Sequence, residues 1–80
     1  GILPRIQITY HLDDLKKKEK VKFNYLLNGK AGKYGLLREH NSKLIAPGII
    51  EINPDYEKIF IDSIKQITSR FEIKKIFIGE

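Results

Sequence analysis

"DDLKKKEKVKFNYLLNG", residues 13–29, can be read in two ways, and the fold of the chain turns on the choice. As a strand, Val21, Phe23, Tyr25 and Leu27 fall at every second position, and Asn28-Gly29 makes a strong short hairpin turn. As a helix, Asp13 and Asp14 sit at the positive end of the dipole and the lysines run toward the negative end. Leu12, Leu15, Phe23, Leu26 and Leu27 then form an apolar stripe, interrupted at Lys18-Glu19, and Gly29 is the stop. Acidic start, basic body and glycine stop agree with one another, and predict a helix over residues 13–27. The hairpin reading stays open.

Upstream, "PRIQITYHL" alternates Ile6, Ile8 and Tyr10 against Arg5, Gln7 and Thr9, which predicts a half-buried strand over 4–11, with Pro4 suiting its first residue or an edge. Downstream, Gly35 to His40 reads as a short helical turn that runs out at Asn41-Ser42. "GIIEI" is a buried strand over 48–52, punctuated by Pro47-Gly48. In "NPDYEKIFIDSIKQITSRF", Asn53 caps a helix, Pro54 takes its first position, and Asp55 and Glu57 load the first turn. Tyr56, Phe60, Ile64, Ile67 and Phe71 share one face of it. "EIKKIFIG" closes as a strand over 72–78. The expected fold is a single α+β domain over residues 1–80, a small two-layer sandwich in the order β-α-loop-β-α-β. About three strands would carry two helices packed on one face, leaving the other face or an edge open. The last strand–helix–strand unit would cross over to a parallel partner.

An 80-residue chain that is 41% hydrophobic has a thin core. A surface that binds is therefore a better expectation than a deep enclosed active site. The chain has no cysteine, which removes disulfides and thiolate metal sites. "GILPRIQITYHL" lacks the basic start and apolar run of a secretory signal, and no apolar stretch approaches the roughly 20 residues that span a bilayer. A soluble, cytoplasmic protein without membrane contact is expected. Isoleucine, lysine and glutamate are abundant while methionine and tryptophan are absent, a bias that proteins of hot environments share with AT-rich genomes.

The net charge of +5 is unevenly placed. Between residues 16 and 43 lie Lys16, Lys17, Lys18, Lys20, Lys22, Lys30, Lys33, Arg38 and Lys43, opposed only by Glu19 and Glu39. Outside that block, six basic residues face eight acids. Such concentration raises the local density of polyanions, of which nucleic acid, DNA or RNA, is the commonest inside cells. The competing uses are an anionic membrane, an acidic protein, or a solvated lysine face that only aids solubility.

"NGKAGKYG", residues 28–35, interrupts the block. Its glycines let the backbone approach a ligand, consecutive N–H groups can cradle an anion, and Lys30 and Lys33 add charge. Tyr34 offers a ring for base stacking. The same residues also suit a plain flexible connection. The spacing matches neither a Walker loop nor GxGxxG. Lysine dominates over the Arg, Asn and Gln forks that read base edges, so binding would be weakly sequence-specific and strongly salt-dependent. The expected interface is Lys16, Lys17, Lys18, Lys20, Lys22, Lys30, Lys33, Tyr34, Arg38 and Lys43.

Catalytic readings fare worse. Pro54-Asp55 and Glu72-Lys74 spell the scattered pattern of magnesium-dependent nucleases, but a helix between them would hold Asp55 and Glu72 at opposite ends. His11, Asp13 and Asp14, with His40 as a distant fourth group, lack the spacing of a zinc site. No nucleophile–base–acid set stands out, so no enzyme activity, metal or cofactor is expected. "KVKFNYLLNGK" resembles the opening strand of the small basic archaeal chromatin proteins of the SH3-like type. That likeness spans eleven residues, and the helix and strand after it do not fit such a barrel. Two functions are weighed: a small basic nucleic-acid-binding module, and a non-catalytic accessory or protein-interaction subunit of a nucleic-acid-processing machine such as a polymerase.

Overall fold

The structure, a computed structural model, describes residues 2–30 and 32–79. The stretch whose reading was open is a helix, α1 (Lys17–Asn28), following strand β1 (Ile2–Tyr10). Helical spacing buries Phe23 and Leu27 while Val21 and Tyr25 stay exposed. Gly29 ends the helix at φ 89°, donating its N–H to the Tyr25 carbonyl. The start lies later than the acidic pair implied. Asp13 and Asp14 precede the helix in a turn and reach Arg70 at 3.5 and 3.7 Å. Glu19 takes over as the N-terminal anion, its carboxylate accepting the Lys16 N–H at 3.1 Å.

After α1 come β2 (Gly29–Lys30), β3 (Lys33–Tyr34), α2 (Leu36–Glu39), β4 (Lys43–Ala46), β5 (Ile49–Ile52), a 3₁₀ turn (Pro54–Tyr56), α3 (Glu57–Lys65) and β6 (Phe71–Gly79). The expected sandwich of about three strands and two helices is therefore wrong. A four-stranded sheet runs β4-β5-β1-β6 with every neighbouring pair antiparallel, and β2 and β3 form a separate two-stranded ladder. Two hairpins account for the extra strands. The first joins β4 to β5 through Pro47-Gly48, with Gly48 at φ 84°, so that dipeptide turns the chain instead of opening a strand. The second folds the expected basic loop on itself, pairing Gly29 with Tyr34 and Lys30 with Lys33.

The expected parallel partnership also fails. β5 and β6 do run the same way, but β1 lies between them and pairs antiparallel with both. Pro4 is tolerated because β5 reaches only as far as Ile6; Pro4 pairs on one side alone, with Phe77. The helix expected over 53–71 stops at Lys65. The N–H groups of Ile67 and Thr68 both close onto the Ile64 carbonyl, and the Thr68 hydroxyl accepts the Arg70 N–H at 3.1 Å, turning the chain into β6. Asn53 caps as expected, accepting the Asp55 N–H at 2.9 Å.

One face of the sheet carries the core. Ile6 and Ile8 of β1 and Ile50 and Ile52 of β5 pack against Phe23 and Leu27 of α1, Leu37 of α2, and Phe60 and Ile64 of α3. Among the described residues no helix packs on the other face. There the Arg5 guanidinium meets Glu51 at 3.0 Å and donates to the Asn41 carbonyl at 2.9 Å.

Candidate nucleic-acid interface

The lysines of α1 divide by helical angle. At about 100° per residue, Lys17, Lys18 and Lys22 project from the outer half of the helix together with Val21 and Tyr25, 40% and 42% exposed. Lys16 and Lys20 lie on the side of Phe23, at the margin of the core, though exposed themselves. Asn24 and Asn28 also face outward, but their amides bond to each other at 2.8 Å.

Directly beyond the helix the β2–β3 hairpin brings Lys30 and Lys33 side by side as a cross-strand pair. Like charges placed opposite each other destabilise a ladder unless something negative sits between or beside them. The Lys30 ammonium lies 5.1 Å from the centre of the Tyr25 ring, and the Arg38 guanidinium of α2 lies 4.1 Å from the centre of the Tyr34 ring. Tyr34 is 59% exposed even so. Between the hairpin and the helices is a shallow depression of about 300 Å³, with Tyr25 and Tyr34 on its walls, Leu26 and Leu36 inside, and Glu39 among its lining.

The glycines have structural duties that the expected anion cradle did not include. Gly29 and Gly35 lie back to back where the helix exit meets the approach to α2. A Cβ on Gly29 would come within 2.7 Å of the Gly35 amide, and one on Gly35 would overlap the Leu27 carbonyl and the Gly29 amide. The Gly29 N–H is already given to Tyr25. Gly32, at φ 83° with open space around it, turns the hairpin; Ala31, inside the expected cradle, lies outside the described residues. Gly29–Lys30 and Lys33–Tyr34 thus form a short hairpin in which the Gly29 amide is already used.

Comparison with known proteins gave nothing: no family model, no curated protein and no solved structure matches this chain. The geometry must speak for itself.

Lys30, Lys33 and Tyr34 line the depression together with Tyr25, Arg38 lies over the Tyr34 ring, and Lys17, Lys18 and Lys22 share the outer half of α1 with Tyr25. Lys43 is elsewhere. It sits on β4 directly opposite Glu51, on the helix-free face of the sheet, with its ammonium 4.0 Å from that carboxylate. Tyr25 lies outside the expected interface, although its nearness in sequence to the basic block offers it, like Tyr10 and Tyr34, as a stacking ring. Its i to i+4 relation to Val21 on the outer face, three residues after Lys22 ends the lysine run, is the signal.

The alternative sites dissolve into structure. His40 packs edge-on against Tyr56 and Phe60, at 4.6 and 5.6 Å between ring centres, with Nδ1 2.9 Å from the Leu36 carbonyl oxygen. Asp55 adjoins Pro4 at one end of β1, whereas Glu72 pairs with Thr9 near the other. Five residues of strand separate them by roughly 17 Å, too far for one metal ion. Among the described residues no group of three or more His, Cys, Asp or Glu side chains converges as a metal site. No helix among them is long and apolar enough to cross a membrane.

Proposed function

We propose that this chain is a nucleic-acid-binding module that holds the phosphate backbone on the outer face of α1, the β2–β3 hairpin and α2. The observation that carries the reading is Lys30, Lys33 and Arg38 beside two exposed tyrosines, continued by Lys17, Lys18 and Lys22 on the outer half of α1, with Glu39 in the depression and Glu19 at the helix start as the acids. Lysine ammonium groups act as point charges toward phosphates and release counterions, so they supply affinity without reading sequence. Asn24 and Asn28 are the side chains on α1 suited to base edges, and they are bonded to each other. Weak sequence preference follows.

The test is a titration of labelled DNA and RNA oligonucleotides at two salt concentrations. Binding should weaken steeply with salt. Replacing Lys18, Lys22 and Lys33 by Gln should flatten the log–log slope by roughly two to three, whereas Lys43→Gln should leave it within error. No binding at low salt and high micromolar protein would remove the proposal.

A second reading, a protein-interaction subunit, is favoured by β6. Its nine residues form a sheet edge with Ile73 and Phe77 exposed, the form of edge to which a partner strand can add. That reading gains if nucleic acid does not bind.

A further inference from the structure

Building on the nucleic-acid reading, we infer that the ligand is a single strand, with one base laid on Tyr34 and a neighbouring base on Tyr25. Both rings line the same depression, and each already carries a cation, Arg38 against Tyr34 and Lys30 against Tyr25. With the Arg38 guanidinium 4.1 Å over one side of it, the exposed Tyr34 ring gains nothing from paired bases, whose faces are closed inside the duplex. Unstacked bases do present their faces, and aromatic stacking is the sequence-tolerant way to hold them.

The depression is polarised in a way that orients such a strand. Lys30 and Lys33 stand on the hairpin side, Glu39 stands on α2, and Leu26 and Leu36 lie among the lining. Phosphates take the lysine side and are repelled from Glu39, so the bases turn inward over the leucines. A volume of about 300 Å³ suits one or two bases and is too small for a duplex. From there the outer face of α1 continues the track past Lys22 and Lys18. Twelve helical residues give it roughly 18 Å, enough for a few more nucleotides. The duplex alternative would use α1 as a groove-reading helix, and the closed Asn24–Asn28 pair opposes that.

The experiment compares a fluorescent 12-nucleotide single strand with a hairpin duplex of the same sequence, at low salt, using the full chain. The single strand should bind at least about tenfold tighter than the duplex. Tyr25→Leu and Tyr34→Leu should each cost about tenfold for the single strand, while duplex binding stays within twofold. Tyr34→Trp should restore binding, with indole fluorescence quenched on mixing. Circular dichroism establishes that the variants remain folded, as the exposure of both rings implies. Equal affinity for both forms, or Leu variants that bind the single strand unchanged, would overturn the inference while leaving the phosphate-binding reading intact. Failure of both forms to bind would overturn the two together.

Discussion

Gly29 and Gly35 set the position of the tyrosine-bearing hairpin, because only two side-chain-free backbones can stand this close. Gly35→Ala would drive a methyl group into the Leu27 carbonyl and the Gly29 amide, neither of which can swing aside. A loss of about 3 kcal/mol is expected in urea denaturation. Gly32→Ala meets no atom within 4 Å and suffers only from its φ of 83°, so about 1 kcal/mol is expected there. Similar midpoints for the two variants would show that the glycine contact does not matter. Tyr10 carries a different residue-scale consequence. Burial pushes its phenol above the ordinary 10.0, against a smaller opposing effect of a backbone hydrogen bond from Gly48. The folded chain therefore keeps this proton at pH values where the unfolded chain has released it. Stability from Tyr10 is present below pH 10.0 and is lost as pH rises through the raised folded value. Tyr10→Phe keeps the packing on Phe23, 4.7 Å between ring centres, and should lose less stability than the parent chain above pH 10. Parallel alkaline limbs for the two proteins would contradict this.

At the scale of elements, α1 shows what separates a helix from a strand. A strand would line Val21, Phe23, Tyr25 and Leu27 along one face, whereas two steps along a helix turn about 200°, so these residues alternate out and in and only Phe23 and Leu27 are buried. Leu26, half-buried beside Leu27, is the residue that a strand would have turned outward. The Asn53 cap and the Phe60–Ile64 face were legible because their signals are local. β4 is missed by the sequence reading although a signal exists: Lys43–Ala46 and Ile49–Ile52 flank a two-residue Pro-Gly turn, which read as punctuation alone hides the hairpin. The end of α3 was not legible: no Gly or Pro marks it, and contacts of Thr68 with Arg70 and His11, from distant or following sequence, decide it. Likewise the ion pair that ties β1 to the β4–β5 hairpin joins residues 5 and 51. With side chains 14% and 9% exposed, Arg5 and Glu51 lie largely out of water. Arg5→Leu should cost about 3 kcal/mol in chemical denaturation, with Lys43 at 4.0 Å too exposed to replace the lost fork. Adding Glu51→Gln should recover part of that loss, because the stranded charge is removed. Additive losses would mean that the two side chains are not coupled.

Over the whole molecule, the lysine-rich face of α1 and the hairpin and the open edge of the sheet lie at different places. The lysines of α1 and the hairpin cover the outside of the helical layer, while β6 and the first residues of β1 carry Ile2, Leu3, Ile73 and Phe77 exposed. β5 pairs with β1 only from Ile6 to Thr9, so Ile2–Arg5 and Ile76–Gly79 continue as a two-stranded ribbon, in a body 42 Å long and 28 Å wide. The sequence showed the charge block because charge is countable. It could not show the ribbon, because an edge exists only once the strand order β4-β5-β1-β6 is known. Such an edge is a template for pairing with a second copy, and Lys74 and Lys75 sit at its middle, on opposite faces of β6. In an antiparallel pair of copies centred there, these ammonium groups would meet their own kind. Replacing both by valine removes that repulsion and raises strand propensity. The double variant should sediment as dimers or larger species at concentrations where the parent chain does not, and the nucleic-acid binding proposed for the Tyr25–Tyr34 surface should be unchanged. A variant that sediments like the parent would mean that something other than the two lysines keeps this edge apart.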